Sequence, residues 1–62
     1  MMSRKRVELK AEIVDGLEKF PMTTHGISNY VNCHYNTAEN RLEELEEDGV
    51  VEKIDDKWVI KE

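Results

Sequence analysis

The sequence predicts a mainly α domain, three helices followed by a small β hairpin. Three observations carry that expectation. Leu9, Ile13, Leu17 and Phe20 recur four, four and three residues apart, the period of one helix face. Ala38, Leu42 and Leu45 repeat that spacing just ahead of Gly49, which stands where a helix end favours a residue at ease with positive φ. After Gly49 come two short runs rich in β-branched and aromatic residues, 50–54 and 57–60, on either side of Asp55-Asp56.

The first helix is expected over about 4–19, with Val7, Ala11 and Val14 widening its apolar face. Asp15 and Lys19 have the spacing of a favourable ion pair. Gly16 inside the pattern costs about 1 kcal/mol relative to alanine and marks a close approach. Pro21 stops the helix, because the residue before proline avoids the α region. A short second helix is expected over 22–31. Thr23 is its cap, Met22 and Ile27 form a hydrophobic staple across it, and Ile27, Tyr30 and Val31 face inward. Ser28 is small where a following helix must cross, and Asn32 ends the helix in left-handed geometry. Cys33 takes the slot of a small buried hydrophobe. The third helix is expected over about 35–48, with two possible starts: a cap at His34, or a capping box from Asn36 to Glu39. In the hairpin, a two-residue turn pairs Val51 with Ile60 and Lys53 with Trp58, and a four-residue loop is the alternative. Val51, Trp58 and Ile60 then cover the helices.

The chain has 62 residues, so a single domain is expected over 1–62, with 1–3 disordered. A domain of this size buries only about 60% of its unfolded surface, and a homodimer is expected for that reason. No apolar run approaches the roughly 20 residues of a membrane span, and residues 1–10 lack the apolar segment of a signal peptide. The single cysteine fits a reducing compartment, so the expected location is cytoplasmic, with no membrane partner. The net charge of −5 is uneven. Residues 1–38 carry five Lys/Arg and four Asp/Glu, and residues 39–62 carry four and ten. That balance argues against strong non-specific nucleic-acid binding, which rests on neutralised phosphates.

No nucleophile, base and orienting group occur together, and no phosphate-cradling glycine loop is present. No catalytic residue, enzyme activity, small-molecule substrate or cofactor is expected. His25, Cys33 and His34 lack zinc-ligand spacing, so no metal site is expected. What stands out is the start of the third helix. His34, Tyr35, Asn36, Thr37 and Asn40 are not needed for its apolar stripe, and all can hydrogen-bond. A short helix with a narrow apolar stripe and a polar N-terminal half suits reading of the major groove.

The run from Thr23 to Lys53, with a short helix, a turn, then the family's serine/threonine-rich helix start, the leucine pair Leu42 and Leu45, and Gly49 before Val50-Val51, resembles the winged helix-turn-helix domains of bacterial and archaeal transcriptional regulators. The resemblance spans about 9–60. It implies a recognition helix at about 35–48 and a hairpin wing at about 50–61. It implies double-stranded DNA as the partner and a role as a transcriptional regulator or repressor. The implied base-reading positions are His34, Tyr35, Asn36, Thr37, Asn40 and Arg41. Implied phosphate contacts fall on Thr23, Thr24 and the start of the second helix. The basic run at 4–6 reads by itself as a solvated terminus, with a phosphate-contacting arm as the alternative. The wing tip falls on Asp55, Asp56 and Lys57, with Lys53 beside it. Two aspartates there repel phosphate, so minor-groove insertion is not expected. The alternative is a winged-helix protein-interaction module in a larger assembly. It would use the acidic run 43–48, read otherwise as a solvated face, which sits at a helix C-terminus where the dipole disfavours negative charge.

Overall fold

A computed structural model describes residues 5–62. The element order is α1 (Arg6–Lys19), α2 (Thr24–Tyr30), α3 (Tyr35–Glu47), β1 (Val51–Ile54) and β2 (Lys57–Ile60). Three helices and one antiparallel hairpin are therefore the architecture, as the sequence periods require. The expected disorder of 1–3 and the Arg4 end of the basic arm lie outside the described residues.

In α1 the buried face is Leu9, Ile13, Gly16 and Leu17. The stripe ends at Leu17, and the expected widening holds only in part. Val7 is 76% exposed and Phe20 53% exposed, and Ala11 also faces solvent. Val7 and Ala11 each lie two positions from Leu9, about 200° round a helix of 3.6 residues per turn, so they point away from the core that Leu9 enters. Phe20 has left the helix, with φ −167° and ψ 156° ahead of Pro21. Only Val14 of the added set packs, half-buried, against the core.

Thr23 caps α2 as expected, its Oγ1 accepting from the Gly26 N–H at 3.1 Å. The staple residues Met22 and Ile27 are both buried. Tyr30 departs from expectation and is 41% exposed. Its ring lies across Gly16, where an added Cβ would stand 2.8 Å from Tyr30 Cε1. The close approach that Gly16 permits is thus a tyrosine ring on a helix backbone. Lys19 Nζ donates to the Tyr30 hydroxyl at 2.9 Å and also lies 3.6 Å from Asp15.

Asn32, at φ 57°, turns the chain from α2 into α3. Ser28 is buried there, with its hydroxyl donating to the His25 carbonyl at 2.7 Å. Cys33 packs half-buried against the core. Along α3 the buried residues are Ala38, Leu42 and Leu45. The helix closes on Gly49 at φ 79°. The Gly49 N–H donates to the Glu46 carbonyl at 3.0 Å and the Val50 N–H to the Leu45 carbonyl at 2.9 Å, the two bonds of a Schellman cap.

The hairpin takes the tight register, Val51 with Ile60 and Lys53 with Trp58. Asp55 and Asp56 both have positive φ, 50° and 73°, which is a type I′ turn built without glycine. Trp58 also bridges to Met22 through two backbone bonds, Trp58 N–H to the Met22 carbonyl at 2.7 Å and Met22 N–H to the Trp58 carbonyl at 3.3 Å. The hairpin is thereby tied to the α1–α2 connection, and its Val51 closes the core with Ile13, Ile27 and Leu42; these four are the largest fully buried side chains.

Candidate nucleic-acid interface

The polar end of α3 is built by where the helix begins. His34 takes the extended cap conformation, φ −67° and ψ 148°, and its side chain makes no capping bond. Asn36 therefore sits inside the first turn, and its amide is not spent on a capping box. Of the two starts open to the sequence, the structure takes His34. His34, Asn36 and Asn40 are exposed, and Tyr35 is 47% exposed. Thr37 is half-buried on the flank. Asn36 and Asn40 stand one turn apart on one face, about 6 Å along the axis.

Arg41 is placed elsewhere. Its side chain is 12% exposed, with Nη2 3.0 Å from Glu44 Oε2. Its buried Nε makes no hydrogen bond among the described residues. Glu44 also meets Lys10 Nζ at 3.1 Å and Arg6 Nη1 at 4.0 Å. These contacts draw Arg41 towards α1 and away from the Asn36–Asn40 face. The hydrogen bond from Lys10, opposed by partial burial and joined by the charges of Arg41, Lys10 and Arg6, holds the Glu44 carboxyl below its ordinary value. Glu44 was expected to be one of several solvated carboxylates. The structure makes it the ionic link between α1 and α3, while Glu43, Glu46, Glu47 and Asp48 do face solvent. One signal was readable, since Arg41 and Glu44 have the three-residue spacing of a helical ion pair.

The two threonines are both engaged within the protein. Thr23 Oγ1 holds the α2 cap. Thr24 is buried, and its Oγ1 accepts from Trp58 Nε1 at 2.9 Å. No local pattern foretells that bond, which joins residues 34 positions apart. At the hairpin tip, Lys53 Nζ lies 3.9 Å from Asp56 and 5.7 Å from the Trp58 ring centroid. Lys57 is exposed across from Ile54, itself exposed. The structure thus gathers His34, Tyr35, Asn36 and Asn40 on one exposed end. Arg41, Thr23 and Thr24 are engaged in contacts within the fold, and Lys53 stays exposed beside Asp56 and the Trp58 ring.

Among the described residues no cavity opens, and no three His, Cys, Asp or Glu side chains gather where an ion would bind. No described helix is long and apolar enough to cross a membrane. Comparison with protein-family models, curated proteins and solved structures found no match to this chain.

Proposed function

We propose that this chain is a winged helix-turn-helix DNA-binding protein of the cytoplasm, a transcriptional regulator that places the N-terminal end of α3 in the major groove. The observation that carries the reading is the exposed polar end of α3 formed by Tyr35, Asn36 and Asn40, groups the core does not need and the cap does not use. Asparagine can bond an adenine edge through two atoms, and tyrosine can reach a phosphate. Arg41 belongs to the scaffold in this reading, and the wing stays out of the minor groove. Pairing with a second copy is part of the proposal, because so small a core is marginal alone and one short helix reads few base pairs.

A second reading has its own support. Glu43, Glu46, Glu47 and Asp48 face solvent at the C-terminal end of α3, where the dipole disfavours them. A basic protein partner would relieve that cost. Fluorescence anisotropy of a labelled random-sequence duplex, titrated with the chain at two salt concentrations, separates the two readings. DNA binding gives an affinity that falls with salt and is weakened by Asn40→Ala. The absence of binding at low salt overturns it in favour of protein docking.

A further inference from the structure

We infer that the row Asn36, Asn40, Glu43 reads one DNA strand that offers an exocyclic amino group at each position: two adenines one or two steps apart, then an adenine or cytosine. The inference rests on the DNA-binding reading and names the class of site within it. Three observations lead there. Asn36, Asn40 and Glu43 are all exposed and follow one another at four and three residues, so they form one line along α3. The two asparagines are about 6 Å apart along the axis, against about 3.4 Å per base along a strand, which places them one to two bases apart. The nearest arginine, Arg41, is held by Glu44, so the row lacks the guanidinium that would select guanine.

The chemistry of each group fixes the preference. An asparagine amide donates to adenine N7 and accepts from its N6 amino group. A carboxylate only accepts, so Glu43 bonds the amino group of cytosine or adenine and is repelled by the two acceptors of guanine. The carboxylates at 46–48 lie beyond this row and face solvent. They hold the last turn of α3 off the phosphates, so the helix enters tilted, N-terminal end deepest, and the readable element is short.

The test is selection of the full chain on a duplex library with eight randomised base pairs, followed by anisotropy on the enriched duplexes. The expected result is enrichment of paired adenines, with each adenine replaced by guanine costing between about five- and 150-fold in affinity. Asn40→Ala removes the preference at one position, and Glu43→Gln admits guanine at the third. Alanine is a good helix former, and an unchanged thermal midpoint shows that the variant folds. Binding to DNA without base preference, or enrichment of guanine under the asparagines, overturns this inference and leaves the DNA-binding reading intact. Failure to bind any duplex at low salt overturns both.

Discussion

Thr24 shows how one side chain can be pulled from a surface role into the core. As a threonine at a helix start it suggests a phosphate contact, but its hydroxyl satisfies the indole N–H of Trp58 at 2.9 Å. Thr24→Val keeps the shape and removes the acceptor. The stranded donor is expected to lower stability by about 1–3 kcal/mol, read as a lower denaturant midpoint at unchanged slope. Asp56 makes the opposite case. It sits at φ 73°, a conformation that costs a residue with a Cβ roughly 1 kcal/mol relative to glycine. Asp56→Gly is expected to raise the thermal midpoint even though it removes the exposed Lys53–Asp56 contact, since such pairs contribute little. The hairpin register was legible because Asp55-Asp56 lies between two β-rich runs. The Trp58–Thr24 bond was not, because it exists only once the hairpin has folded back on α2.

Among the elements, α3 is where sequence and structure agree most closely, and its flank is where they part. The stripe of Ala38, Leu42 and Leu45, the Gly49 stop and the extended hairpin beyond are all local periods, and all appear as expected. The sorting of its carboxylates is not local. Glu44 is set apart from its neighbours because α1 brings Lys10 and Arg6 to it, and α1 packing cannot be read within α3. Val7 and Phe20 part from expectation for local reasons instead, Val7 by lying about 200° round the helix from Leu9 and Phe20 by leaving the helix ahead of Pro21. Glu44 has a carboxyl held below its ordinary value in the folded state, so its contribution is present above the unfolded carboxylate range. It is lost as pH falls through the lower folded value. Acid titration followed by circular dichroism is therefore expected to show a steeper loss of stability for the native chain than for Glu44→Gln, which starts less stable at neutral pH. In the core of the same helix, Leu42→Ala opens a cavity and is expected to cost about 2–5 kcal/mol.

At the scale of the whole molecule, charge decides how the proposed DNA contact behaves. The chain carries −5, and Arg6, Lys10, Arg41, Lys19 and Lys53 each lie near a carboxylate of the protein itself. Few cations remain to displace counterions from phosphate, so the salt dependence of affinity is expected to be shallow, with a log–log slope of magnitude about 2–4 per protomer. The fold was legible almost entirely, since it follows from periods and stops. The candidate interface was legible in its polar tip and not in its basic members, whose partners come from other elements. The most direct test is a nitrogen–proton NMR titration of the labelled chain with duplex DNA at low salt. Amide shifts concentrated on residues 34–43, with residues 46–48 little moved, are the expected result. Shifts confined to residues 46–48, or none at saturating duplex, would contradict the account.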